Sequence, residues 1–240
     1  MGEKSNFPEI WGLGLGIFLG LYALFLYQIT PREAVLDTHS GFESPLLALE
    51  MSETPKQVQD IIGLPDTIEY FHLTNEYRTL HYFDFGFILC YMAFLTYTGH
   101  YAGRKVRTIF LKIFMGMILV LVVGGFADLI ENILILNLLD AKGPEEMTAS
   151  LEYLKSTSQL KWFCLFAYAV VVSVYFWLYE SGWILKTSAF FLASGFFIQL
   201  FSIFRTNLLE ISFPMFLIGL SLAWLHYGFS LAFGSSSKKT

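Results

Sequence analysis

Charge is scarce in this chain. Among its 240 residues only 15% are Asp, Glu, Lys or Arg, where a soluble domain carries about 25%. Basic residues are outnumbered as well, 15 against 20 acidic ones, for a formal net charge of −5. A nucleic-acid partner is therefore not expected, since it would need a basic face. Cysteine is limited to Cys90 and Cys164, both in apolar runs and without CxxC or His/Cys spacing. That excludes a disulfide framework and a zinc knuckle, and leaves both as small buried hydrophobes. GxSxG, HExxH, a Walker loop and GxGxxG are all missing, so hydrolase, zinc-protease and nucleotide chemistry have no motif support and no cofactor is expected. Internal repeats and paired broken helices, the marks of many transporters, are missing too.

What fills the chain instead is apolar, at 55% hydrophobic and 18% aromatic residues. The excess is gathered into long blocks. Crossing the hydrocarbon layer takes about 20 mostly apolar residues, and six stretches qualify: roughly 11–29, 81–99, 108–138, 161–179, 186–204 and 213–233. The expected fold is all-α, a polytopic transmembrane helix bundle. Nothing resembling a small-x-small cleavage site follows the first stretch, which reads as a retained anchor. Gly12, Gly16 and Gly20 lie on one face of it. That spacing suits close helix contact, either against the rest of the bundle or with a second copy.

Short basic segments stay on the cytoplasmic side. "GHYAGRKVR" (99–107) and the terminal "SSSKKT" are basic. This predicts a multi-pass protein of the bacterial inner membrane with both termini cytoplasmic. The acidic segment 30–80 then lies outside, as a cap within a single membrane domain. Inside that segment, "SETP" places Pro55 in a helix-start position. One or two short amphipathic helices are expected there, ending near Gly63 and Pro65.

Against this apolar background the polar residues of the spans stand out. Asp84 and Tyr91, seven residues apart, share a face of the second span. "GGFADLIENILILNLL" carries Asp128, Glu131 and Asn132 at i, i+3 and i+4, on one side of the third. Lys161, in "QLKWFCLF", opens the fourth. Three consecutive helices thus bring ionisable groups to a similar depth on the same side. A charge at membrane depth costs about 2.5–3.5 kcal/mol on insertion scales, so such groups face the bundle interior and mark function.

Asp84, Asp128, Glu131 and Lys161 are the candidate acid/base residues, with Tyr91, Asn132 and Arg205 as candidate ligand-binding groups. Three carboxyls against one lysine in a dry setting imply that one of them holds a proton at neutral pH. A metal site built from His81, Asp84, Asp128 and Glu131 is the rival reading, on the logic of di-metal bundles. Lys161 would compete with the metal there.

The segments "LALEMSETPKQVQDII", "LHYFDFGFILCYM", "GGFADLIENILI" and "LKWFCLF" resemble a group of uncharacterised bacterial polytopic membrane proteins. These show a Thr-Pro-x-x-x-x-x-Ile outer loop, an Asp…Tyr second helix, an Asp-x-x-Glu-Asn third helix and a Lys-led fourth. The likeness covers roughly residues 45 to 165. It departs after the loop helix, where "GLPDT" stands in place of a tryptophan. The resemblance implies a shared four-helix core and says nothing of reaction or substrate.

The function expected from these residues is an outward-facing polar pocket that binds a small or lipidic ligand among membrane lipids, in the service of membrane-embedded acid/base catalysis. A proton-coupled transporter and an accessory subunit whose polar network only fixes helix packing are the alternatives.

Overall fold

The computed structural model describes residues 7–65, 67–103 and 108–233. Among the described residues there are eight α-helices: α1 (Phe7–Ile29), α2 (Pro45–Glu50), α3 (Pro55–Ile62), α4 (Ile68–Gly103), α5 (Thr108–Asp140), α6 (Pro144–Tyr179), α7 (Trp183–Ser202) and α8 (Leu209–Phe233). Six of them, α1 and α4 to α8, are long and apolar enough to cross a membrane. The protein is an all-α, multi-pass integral membrane protein. Arg104, Lys105, Arg107 and the terminal "SSSKKT", on which the orientation rests, lie outside the described residues.

The six long helices close into a ring. α1 packs on α4, α4 on α5, α5 on α6, α6 on α7, α7 on α8, and α8 back on α1. α6 is the most enclosed of the six and α1 the least. Wide aliphatic and aromatic exposure, from Phe18 and Leu21 on α1 to Phe190 and Phe197 on α7, is the outer surface that lipid tails would cover.

α1 meets the ring through its glycines. A Cβ on Gly12 would stand 2.6 Å from the Tyr97 ring and 2.7 Å from that of Tyr227, and one on Gly16 would collide with Trp224. The Trp224 ring is itself tethered, its Nε1 donating to the Leu13 carbonyl at 3.1 Å. Gly20 has open space around it. Of the three glycines open to a second copy in the sequence reading, Gly12 and Gly16 are thus spent inside the chain. Gly16→Val is expected to lower stability by about 1–3 kcal/mol through overpacking, while Gly20→Val leaves it unchanged. Thermal unfolding of the two variants in detergent checks this.

Two spans run further than hydropathy indicates. α4 starts at Ile68 and α6 at Pro144, each 36 residues long. At 1.5 Å per residue that is about 54 Å, well beyond the roughly 30 Å of hydrocarbon. The added turns are amphipathic rather than apolar. On α6, Met147, Ser150, Leu151, Leu154 and Ser158 are buried at helical spacing, and on α4 so are Thr74, Tyr77, Leu80 and His81. Their partners are the short helices between α1 and α4, since α3 packs on α4 and α6, and α2 on α6.

These short helices are defined locally. Ser44 accepts from the Leu47 N–H to start α2, with Pro45 in its first turn. Thr54 and Gln57 form a reciprocal capping box at the start of α3, with Pro55 in its first turn. Gly63, at φ +93, ends α3 in a conformation that only glycine takes readily. Val58, Ile61 and Ile62 are fully buried beneath α3. The segment is fastened to the ring at separate points. The Glu210 carboxylate accepts from the backbone N–H groups of Glu43 at 2.9 Å and Ser44 at 2.6 Å. Lys155 pairs with Glu53 at 2.5 Å. α2 and α3 thus form a roof over one end of the ring.

Candidate functional site

Below that roof, α4, α5 and α6 come together around Lys161. Two glycines permit the approach. A Cβ on Gly124 would stand 2.9 Å from Cys164 on α6, and one on Gly125 2.9 Å from the Met92 sulfur on α4. One turn further along α5, Asp128, Glu131 and Asn132 all point inward and all are buried. The i, i+3, i+4 spacing puts them on the inner face, and the glycine pair draws the two flanking helices onto that face.

The Lys161 ammonium sits among three carboxylates. Its Nζ lies 2.5 Å from Glu131 Oε1, 3.2 Å from Glu50 Oε2 and 3.4 Å from Asp128 Oδ1. The same nitrogen is 4.6 Å from the centre of the Trp162 ring, within cation–π range. Tyr91 O–H donates to Asp128 Oδ2 at 2.7 Å. A second chain of bonds runs alongside. The His81 Nδ1–H donates to Asn132 Oδ1 at 2.7 Å, and Asn132 Nδ2 donates to Asp84 Oδ2 at 2.7 Å.

Asp84 is therefore not in the lysine's shell. It is only partly buried and joins the centre through Asn132. The α5 triad divides its work, Asp128 and Glu131 turning to α6 and Asn132 to α4.

Glu50 is the residue that sequence reasoning missed. It closes the short roof helix α2, yet it is 5% exposed and enters the bundle. Its Oε2 accepts from Lys161 Nζ and from Trp162 Nε1, both at 3.2 Å, while Ser158 Oγ donates to its backbone carbonyl at 3.0 Å. Burial pushes its carboxyl above the usual range, with the Lys161 ammonium acting in the opposite direction. A sequence signal did exist. Glu50 stands between Leu49 and Met51, in "LALEM".

Two expectations are corrected. Arg205 is exposed at the α7–α8 connection, where it precedes the 3-10 turn Thr206–Leu208, and it does not join the centre. The metal set of His81, Asp84, Asp128 and Glu131 does not converge, and among the described residues no group of three His, Cys, Asp or Glu side chains is placed to hold a metal ion. The reason is physical: the ammonium occupies the position a cation would take, and His81 is turned to Asn132.

Chemically the arrangement holds one ammonium against four carboxyls, with a phenol, an imidazole and an amide as neutral links. One lysine balances one carboxylate. Several carboxyls gathered around one lysine inside an apolar helix bundle are a setting in which acid/base chemistry is found. No family model, curated protein or solved structure matches the chain.

Proposed function

We propose that this membrane protein works through a proton-exchanging carboxylate–lysine centre, roofed by α2 and α3, which binds a small or lipidic ligand when the roof lifts. In this reading the protein resides in the cytoplasmic membrane with both termini inside and the roof outside. Lys161 is the anchor for an acidic group of the ligand. Asp128 and Glu131 take up and return protons, and Tyr91 orients Asp128. The observation that carries the reading is Glu50, a carboxylate from a short helix outside the spans that occupies the bonds of Lys161 and Trp162. An acidic ligand group would engage the same two donors once Glu50 withdraws.

The closeness of the packing favours a second reading, in which the network only fixes helix register. Native mass spectrometry of protein extracted from membranes, compared between wild type and Glu131→Gln, separates the two. A bound species of defined mass, lost in Glu131→Gln at unchanged melting temperature, is the expected result. Wild-type protein free of any bound species, together with collapse of the Glu131→Gln fold, would establish the structural role instead.

A further inference from the structure

At the roof end of the ring, where α5 stops, lies a cavity of about 380 Å³ that is separate from the carboxylate–lysine centre. The first turns of α4 form one wall through Tyr70, Phe71, Asn75 and Arg78. The end of α5 and the residues after it form the other, through Asp140 and Lys142. Among the described residues the wall thus carries two cations and one carboxylate. Arg78 Nη2 holds Asp140 Oδ1 at 2.5 Å, and Nη1 reaches Asn75 Oδ1 at 3.4 Å. A guanidinium is a planar fork of N–H donors suited to bidentate contact with an anion, and the rest of this fork is uncommitted. The Asp140 side chain is 67% exposed against 32% for Arg78, so the carboxylate is the partner free to swing away. Lys142 is exposed. Its backbone N–H donates to Glu146 Oε2 at 2.8 Å, while its ammonium forms no ion pair among the described residues.

The level of the cavity and its rim narrow the kind of anion. The apolar stretch of α5 runs from Gly116 to Asp140, so its end marks the border where hydrocarbon gives way to headgroups. On the α4 side Phe71 is 71% exposed and Ile68, one turn before it, 85% exposed. Exposed apolar side chains therefore stand beside a cationic recess, as an amphiphile with an anionic head requires. The C-terminus of α5 opposes an anion with about half a negative charge. That is less than the net positive charge of the wall, and the Leu139 carbonyl there already accepts from the Tyr70 hydroxyl at 3.5 Å.

We propose that this cavity binds a phosphodiester, the headgroup phosphate of an anionic phospholipid in the leaflet on the roof side. Arg78 and Lys142 hold the phosphate, and the acyl chains leave along Phe71 and Ile68. Asp140 is the competitor of the phosphate for the guanidinium, so lipid binding exchanges one ion pair for another. The site does not depend on the reading of the carboxylate–lysine centre.

Native mass spectrometry of the purified protein in detergent, titrated with phosphatidylglycerol, tests the assignment. A one-to-one adduct is expected, severalfold tighter than that with phosphatidylcholine, whose choline cancels the charge of the phosphate. Arg78→Gln is expected to weaken the adduct about tenfold, through the loss of charge-assisted hydrogen bonds, and Lys142→Gln severalfold. Asp140→Asn is expected to tighten it by releasing Arg78. Glu152→Gln, an equal change of net charge at an exposed position of α6, leaves it unchanged. Equal affinity for the two lipids would overturn the site. So would an affinity unmoved by Arg78→Gln and Lys142→Gln, or the same tightening in Asp140→Asn and Glu152→Gln. If Arg78→Gln fails to fold, the exposed positions Lys142 and Asp140 carry the comparison. Displacement of the lipid by millimolar inorganic phosphate, with the same response to the variants, would overturn the lipid as occupant and assign the cavity to a soluble phosphate group.

Discussion

Lys161→Met is expected to destabilise the protein by about 3–5 kcal/mol, the cost of removing one partner from a buried ionic cluster. The side chain that replaces it is similar in length and fits the same helix face, so lost volume is not the cause. Glu50, Asp128 and Glu131 all lie within 3.4 Å of the ammonium, and the one positive charge that they share is lost. Thermal or SDS-induced unfolding of the purified variant reads the effect directly.

The double variant Lys161→Met/Glu131→Gln separates charge from packing. If the loss in the single variant comes from an uncompensated carboxylate, neutralising the nearest one restores part of the stability, and the two changes are non-additive as contacting residues are. A double variant as unstable as the sum of the two single ones would show that Lys161 contributes through packing alone.

The six spans of the bundle were legible from the amino-acid sequence because hydrocarbon imposes a length and a polarity on every segment that crosses it. The six stretches of high hydropathy each correspond to one long helix. The outer turns of α4 and α6 escaped that reading. Residues such as Asn75, Glu76 and Arg78 lower the hydropathy, while the face that matters there, Thr74, Tyr77 and His81, is only one stripe. In the centre, the inward side of α5 and its meeting with Lys161 followed from the 3.6-residue period and a shared depth. Glu50 did not follow, since periodicity within a six-residue helix leaves its direction open and only the tertiary packing of the roof turns it inward. Arg205 shows the complementary error, since α7 ends at Ser202 and leaves it exposed in the connection to α8, while Asp84 joins the centre through Asn132 and not through Lys161 directly.

Glu50 is where the second large effect is expected. Glu50→Ala removes the acceptor that Lys161 and Trp162 both use and should weaken docking of the roof by about 1.5–3 kcal/mol, the range for hydrogen bonds to charged groups. Faster hydrogen exchange at the amides of Val58, Ile61 and Ile62, which the docked roof buries, reports it.

Glu50→Gln keeps an acceptor oxygen and so keeps the roof closed, but it cannot titrate, and pH therefore distinguishes the two variants. Burial raises the Glu50 carboxyl above its ordinary range, so the folded protein holds a proton there that the unfolded chain, at about 4.3, has already released. The folded state then binds more protons than the unfolded one, and stability falls as pH rises. The stabilisation is complete below the ordinary glutamate value and disappears as pH climbs through the raised one. Lys161, Asp128 and Glu131 face Glu50 in wild type and variant alike, so the difference between the two stability–pH curves reads Glu50 together with its coupling to these neighbours. Glu50→Gln is expected to show the flatter curve and to exceed the wild type on the alkaline side. Parallel curves would mean that the roof carboxylate is ionised throughout, and that its bond to Lys161 is a plain ion pair which no proton controls.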